Sequence, residues 1–490
     1  MTEGSVIYEP VIGLEVHAEL LTQSKMFCGC RVVTSEAAAP NSVACPICSG
    51  MPGTLPVINR RAVEYTIMTG LALNCTIAEF SLFARKSYFY PDLPKGYQIS
   101  QYELPLCRNG WLEIDLESGG RKRIGIRRVH LEEDTGKLIH ADGGRSLVDF
   151  NRSGVPLIEI VSEPDLRSAE EVYAYAKKLR AILRYLGVNS GDMEKGVIRF
   201  EPNISIRPAG STEFGIRTEL KNLNSFRAIL RGTEYELARQ QEIIERGGQV
   251  EQETRGWDEA RGVTVPQRSK EYADDYRYFP EPDLPPLVVE PACVEEIRAA
   301  LPELPDAKRE RFEHEYDLGH KDAARLTEEK AVADYFEEAV RIKGSGVGSA
   351  RVIANWILGE LFRLMNESGW DIESVTVRPA GLVELIGLVE SGAINANTGK
   401  RVLGEMFESG EGARSIVERH GLAQISDMAA LEEAAGKVIE ANPAEVEKYL
   451  AGKETVLSWL VGQVMKETRG KANPNTAREI LQRLIDTRRA

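Results

Sequence analysis

The chain has 490 residues, 42% of them hydrophobic, and a formal net charge of −14. That length suffices for two to four domains with substantial cores, and the acidic balance argues against a protein that coats nucleic acid non-specifically. No run reaches the roughly 18 apolar residues of a membrane span, and the opening MTEGSVIYEPVIG lacks the basic and apolar regions of a secretory signal. Four of the seven cysteines form a metal-type pattern, leaving Cys75, Cys107 and Cys293 as an odd remainder. A reducing compartment, the cytoplasm, is therefore expected.

The first part of the chain reads as mixed α/β, with strands between Gly/Pro/Asn-rich turns and a few clear helices. In VIGLEVHAEL (11–20), Ile12, Leu14, Val16 and Leu20 alternate with Glu15, His17 and Glu19. A strand with that period has one apolar face and presents carboxylate, imidazole, carboxylate on the other. A solvated edge strand alternates in the same way. Next come Cys28-Gly29-Cys30, a gap of 14 residues, and Cys45-Pro46-Ile47-Cys48. Two short-spaced pairs one loop apart suit a tetrahedral four-thiolate zinc site, closed and therefore structural. Four reduced thiols close by chance are the alternative.

A helix is expected after Asn59, with Val63, Ile67 and Leu71 at four-residue steps. The segment FARKSYFYPDLPKGYQISQYE (83–103), with Lys86 and Tyr88, is dense in Tyr, Lys and Gln, residues able to stack bases and hold phosphates. In RRVHLEEDTGK (127–137), Glu132, Glu133 and Asp134 follow a strand and precede a turn. In VPLIEIVSEPD (155–165), Glu159 interrupts an otherwise apolar run from Leu157 to Val161. A carboxylate inside a buried strand needs a partner, a cation or a metal. Oxygen-rich ligands with one imidazole suit Mg²⁺ or Mn²⁺ better than zinc.

Ser168-Ala169-Glu170-Glu171 reads as a capping box before a helix whose apolar face holds Val172, Leu179, Ile182, Leu183 and Leu186, with Gly187 as its stop. VIRFEPNISIRP (197–208) puts Ile198, Phe200, Ile204 and Ile206 on one face and Arg199, Glu201, Asn203, Ser205 and Arg207 on the other. Such a polar face can line a cleft for a phosphate-bearing ligand; an ordinary surface strand has the same pattern. TELKNLNSF (218–226) brings Lys221, Asn222, Asn224 and Ser225 to the start of a third helix. Its amides could receive an anion, or Asn224 or Ser225 could simply cap it. DDYRYFPEPDLPP (274–286) reads as an extended aromatic-proline segment with a packing role.

Beyond PEPDLPPL (280–287) the composition turns to Ala, Glu, Leu, Lys and Arg with helical period. The expected division is an α+β domain over 1–294, a helical domain over 295–412, ending near SGEG, and a helical tail over 413–490. From Val464 onward seven cations (Lys466, Arg469, Lys471, Arg478, Arg483, Arg488, Arg489) face three acids (Glu467, Glu479, Asp486), a local net of +4. That is either a nucleic-acid contact or a solvated face. There is no P-loop, GxSxG elbow or HExxH motif, so any nucleotide binds without a P-loop.

These pieces, in order, resemble the B-subunit family of the aspartyl/glutamyl-tRNA(Asn/Gln) amidotransferases. The matching signatures are VIGLEVHAEL, KSYFYPDLPKGYQISQ, HLEEDTGK, DFNRSGVPLIEIVSEPD, NISIRP, ELKNLNSF, QETRGWDE, DYRYFPEPDLPP and LVGQVMKETRGKANP, spanning nearly the whole chain. The resemblance implies a cradle-shaped α/β catalytic domain, a helical domain and a small tail that contacts tRNA. It implies a ligase subunit that uses ATP to phosphorylate the side-chain carboxylate of Glu-tRNA(Gln) or Asp-tRNA(Asn). Ammonia from glutamine, released by an amidase (the A-type subunit) and channelled, then displaces the phosphate, and a small C-type subunit completes the heterotrimer. The implied magnesium site is His17, Glu133 and Glu159, with Glu15 beside it. Lys86, Tyr88, Glu201, Asn203, Ser205, Lys221 and Asn222 are the expected ATP and substrate contacts. Phe200, Glu201 and Pro202 stand where many members read Cys-Asp-Ala, which leaves the role of Glu201 open. The four cysteines occur in only some members, as a structural zinc would. The archaeal E-type relative carries an extra insertion for which this chain is too short. Two readings outside the family are a non-catalytic zinc-stapled tRNA adapter and an amide ligase acting on free glutamate.

Overall fold

The structure, a computed structural model, describes residues 6–33, 38–116, 119–141, 143–269, 276–344, 346–422, 428–468 and 472–487. Two compact units divide the chain, Met1–Pro305 and Asp306–Ala490. As the sequence pattern indicates, the first is mixed α/β and the second helical.

A nine-stranded sheet organises the first unit. From one edge its strands are Val263–Ser269, Glu253–Asp258, Thr218–Lys221, Ile198–Pro208, Tyr8–Glu19, Pro156–Ser162, Arg121–Glu133, Cys107–Asp115 and Thr76–Ile77. All neighbours are antiparallel except Thr218–Lys221 beside Glu253–Asp258. Alternation sorts the side chains. Ile12, Leu14, Val16, Leu131, Ile158, Ile160, Phe200 and Ile204 face one core. Three helices, Arg60–Ala72, Ala169–Tyr185 and Phe226–Glu245, pack against the same core. Each of them is capped as its sequence indicates. Asn59 accepts from Arg61 and Ala62 N–H, Ser168 from Glu171 N–H, and Ser225 from Ala228 N–H. With one face covered, the polar residues of the central strands are left on the other.

A three-stranded sheet, in the order Phe279–Pro280, Ala84–Ser87, Tyr97–Ser100, stands by that polar face. Arg85 clamps the 279–283 segment through two 2.7 Å bonds to Glu281, whose side chain is fully buried, and a 3.1 Å bond to Asp283. The helix Pro291–Ala299 also belongs to this unit, since it packs on Arg60–Ala72 and Val294, Ile297, Leu301 and Leu304 join the first core. The boundary at 305 therefore falls later than the expected 294.

In the second unit the apolar residues gather into two cores. One runs from Phe312 to Val417 and includes Phe336, Leu361, Leu385 and Met406; the other runs from Leu431 to Ile485. Ala413, Ile416 and Val417 pack into the former, so the change of core comes after the expected break at 412. Of the seven C-terminal cations, Lys466, Arg478 and Arg483 are described and exposed. Arg478 Nη2 donates to Ser458 at 3.0 Å, and Arg483 pairs with Glu432. Arg469, Lys471, Arg488 and Arg489 lie outside the described residues. Among the described residues, no helix is long and apolar enough to cross a membrane.

Candidate active site

The polar face of the central strands floors a cleft of about 840 Å³. Sheet register sets its floor, because His130, Glu159, His17 and Arg199 are successive neighbours on four adjacent strands. Glu15 and Glu201 are paired one step along. Residues that lie far apart in sequence thus converge through pairing alone.

At the centre, His17 Nε2 is 3.9 Å from Glu159 Oε2 and His17 Nδ1 is 3.9 Å from Glu201 Oε1. His130 Nε2 lies 3.1 Å from Glu159 Oε2 and 3.3 Å from Glu132 Oε1. Ser100 Oγ donates to Glu132 Oε1 at 2.6 Å, and Gln98 Nε2 to Glu132 Oε2 at 3.1 Å. Ligand atoms of His17, Glu132 and Glu159 come within 4.8 Å of one another. Burial raises the Glu159 carboxyl, but His130, His17 and Lys86 outweigh it and hold its pKa well below the ordinary value. Burial would lower His130, and Glu159 and Glu132 reverse that.

The acid beside His17 and Glu159 is therefore Glu132, where the sequence reading has Glu133. Neighbours along a strand face opposite ways. Glu132 shares the side of His130, while Glu133 turns away to accept from Ile99 N–H at 3.0 Å and to pair with Lys95. Glu15 stands in a second carboxylate group with Glu201 and Glu219. That group already holds a cation, since Lys221 Nζ is 2.9 Å from Glu201 and 3.8 Å from Glu219. Burial pushes Glu201 up, yet Lys221 and His17 keep it at about 2. Asn203 Nδ2 donates to Glu15 at 3.2 Å, and Ser205 Oγ to the Val11 carbonyl at 3.3 Å. Lys86, Tyr88, Asn203, Ser205, Lys221 and Asn222 all line the cleft, as do Arg127, Arg128, Arg199 and Arg217.

Four tyrosines complete one wall. Tyr102 stacks on Tyr278 at 4.1 Å, Tyr88 meets Tyr276 edge-on, and Lys86 Nζ sits 5.0 Å from the Tyr276 ring centre. The aromatic-proline segment thus both packs, through Glu281, and lines the cleft, through Tyr276 and Tyr278. At one end Asp134 faces Arg199 at 3.4 Å and Arg152 at 3.8 Å. Burial opposes ionisation of Asp134, but those two guanidiniums hold it at about 2. Burial, then the Asp134 charge, pushes Glu19 up to about 8.

The donor set of His17, Glu132 and Glu159 fits a hard divalent cation: two carboxylates, one imidazole, and a buried His17 Nδ1 with no hydrogen-bond partner. The second metal-type group is Cys28, Cys30, Cys45 and Cys48, whose sulfurs also lie within 4.8 Å of one another. Cys45 and Cys48 Sγ are 3.9 Å apart. Thiolates at about 2.3 Å from one tetrahedral zinc stand about 3.8 Å apart, so the geometry fits zinc. Hydrogen bonding from Cys28 holds Cys48 down at about 4 against burial. The fully buried Lys25 sends its ammonium to the Val43 and Phe150 carbonyls and, at 3.5 Å, to Cys48 Sγ.

Comparison with known proteins agrees with this architecture. The family model "GatB/GatE catalytic domain" matches residues 10–295, and "GatB domain" matches residues 334–485. A protein of Thermodesulfovibrio yellowstonii, named as the B subunit of an aspartyl/glutamyl-tRNA(Asn/Gln) amidotransferase, is 56% identical over 98% of this chain and 99% of its own. Proteins of the same name from Caldanaerobacter subterraneus subsp. tengcongensis and Myxococcus xanthus are 54% and 53% identical, over 97% and 98% of this chain and 98% of their own lengths. With a catalytic-domain match over more than half its length and full-length relatives of this identity, the chain belongs to the GatB/GatE family.

Proposed function

We propose that the chain is the ATP-dependent kinase and transamidation subunit of a tRNA-dependent amidotransferase, a ligase that forms a carbon–nitrogen bond with glutamine as amido donor. The observation that carries this reading is the cluster of half-buried His17 with the buried Glu132 and Glu159 on the floor of a cleft ringed by Lys86, Arg128, Arg199, Arg217 and Lys221. Its substrates are Glu-tRNA(Gln) or Asp-tRNA(Asn), and its partners are the amidase and the small C-type subunit, in the cytoplasm.

In the first step a side-chain carboxylate oxygen attacks the γ-phosphorus of ATP and ADP departs. In the second, ammonia attacks the acyl carbon, phosphate departs with the carbon–oxygen bond electrons, and a proton is lost from nitrogen. The reactants are anions, so their approach needs fixed positive charge. Lys86 suits this, because Glu132 and Glu159 outweigh burial and keep it protonated. Arg199 and Lys221 flank the floor, and the Tyr102–Tyr278 wall supplies flat surface for a base. His17, Glu132 and Glu159 would hold Mg²⁺, whose charge would offset the repulsion among these anions. A non-catalytic tRNA adapter has no use for such a cluster, whose carboxylates are costly to bury.

The test is formation of Gln-tRNA(Gln) from Glu-tRNA(Gln), ATP and glutamine by the chain co-expressed with its partners. Glu159→Gln should abolish that product and leave glutamine hydrolysis intact, since the latter belongs to the amidase. Product formation by Glu159→Gln at the wild-type rate would refute the reading.

A further inference from the structure

His130 is 1% exposed and faces two carboxylates on two adjacent strands. Its Nε2 reaches Glu159 Oε2 and Glu132 Oε1, and its Nδ1 is buried without a hydrogen-bond partner. The two acids are not equally supported. Glu132 has further donors in Ser100 Oγ and Gln98 Nε2. Among the described residues, His130 alone is within hydrogen-bond distance of the Glu159 carboxylate.

We propose that His130 is a positioning residue for phosphoryl transfer, its shared Nε2–H fixing Glu159 and Glu132 at the spacing at which they and His17 take a divalent cation. This rests on the cation-site reading of the cluster. Two ionised carboxylates on neighbouring strands repel, and with no donor between them the freer one, Glu159, swings away. A carboxylate offers about four lone-pair directions over two oxygens, so the bond to His130 uses one edge of each acid and leaves the others for a metal. Partners that orient a metal ligand without touching the metal change affinity by about 10–100-fold when removed. The signal for His130 is local. In HLEE the residue two before Glu132 shares its side of the strand, and pairing brings that residue opposite Glu159.

The probe is Mn²⁺, titrated into the full-length chain and read by electron paramagnetic resonance. The wild type should bind one Mn²⁺ that Glu159→Gln loses. If it binds none, the cation-site reading fails and takes this proposal with it. His130→Leu should weaken Mn²⁺ about 10–100-fold and raise by a similar factor the Mg²⁺ concentration needed for ATP turnover in the assembled complex. His130→Gln carries an amide nitrogen close to the position of Nε2 and should restore binding to within about threefold of wild type. The nitrogen bonded directly to Mn²⁺, that of His17, should persist in the pulsed spectrum of His130→Gln. Wild-type affinity in His130→Leu overturns the proposal. So does loss of the bonded nitrogen in His130→Gln, which makes His130 a ligand. Equal loss of affinity in both variants also overturns it, because then the donor is not what matters.

Discussion

Lys221→Met removes the ammonium 2.9 Å from Glu201 and leaves that carboxylate, 8% exposed, on the cleft floor. Burial pushes Glu201 up, and Lys221 followed by His17 more than offsets it, taking the pKa from 4.5 to about 2. At 1.36 kcal/mol per unit of pKa, ionised Glu201 contributes about 3 kcal/mol to the folded state at neutral pH. The folded value is the lower one. The contribution is therefore present above about pH 4.5 and is lost as pH falls towards about 2. Lys221 is the largest of the compensating charges, and its side chain is 29% exposed. Its loss should cost about 2–3 kcal/mol at pH 8, at or just below the usual cost of breaking a buried pair. Without it, Glu201 binds its proton at higher pH, so the deficit should narrow between pH 8 and pH 5. Hydrogen exchange of the Ile198–Pro208 strand across a urea series reads the first unit without interference from the helical one. Lys221→Met/Glu201→Gln should recover at least half of the loss. Wild-type stability of the single variant at pH 8, or no recovery in the double, would refute the reasoning.

Three further outcomes follow from other parts of the molecule. Cys45→Ser should reduce zinc from one per chain to none by elemental analysis and lower the thermal midpoint; unchanged zinc would contradict the four-thiolate site. Glu19, raised to about 8, contributes stability that is full below about pH 4.5 and is lost as pH rises through about 8. The thermal midpoint should therefore fall as pH rises from about 5 to about 8 and level off above that, and Glu19→Gln should flatten that fall. In the tail, Val464, Ile480 and Leu481 belong to the third core, so truncation there would unfold what it is meant to probe. Lys466→Gln with Arg478→Gln instead removes two exposed cations, and the slope of log tRNA affinity against log salt should shrink by up to about 2. An unchanged slope returns that face to ordinary solvation.

Much of the site is legible in the chain without the fold. Alternation in VIGLEVHAEL and VIRFEPNISIRP identifies the polar face, and Glu159 stands out as a charge inside an apolar strand. The choice between Glu132 and Glu133 is also open to sequence, since carrying the alternation through His130-Leu131-Glu132 puts Leu131 in the core and Glu132 with His130. What stays hidden depends on pairing between distant segments. Gln98 and Ser100 reach Glu132, and Tyr276 and Tyr278 reach the cleft, only because Tyr97–Ser100 and Phe279–Pro280 flank Ala84–Ser87. The later domain boundary has a similar cause. Helical period shows that Pro291–Ala299 is a helix, but not that its apolar residues join the first core.

The central claim is that the His17–Glu132–Glu159 cluster serves phosphoryl transfer to a tRNA-linked carboxylate. Its most direct test is release of the γ-phosphate of ATP by the assembled complex, with and without Glu-tRNA(Gln), beside Glu159→Gln. Release that requires the charged tRNA and is lost in the variant is the predicted result. Tight tRNA binding with no release by either protein would contradict it and reduce the acidic cluster to structure.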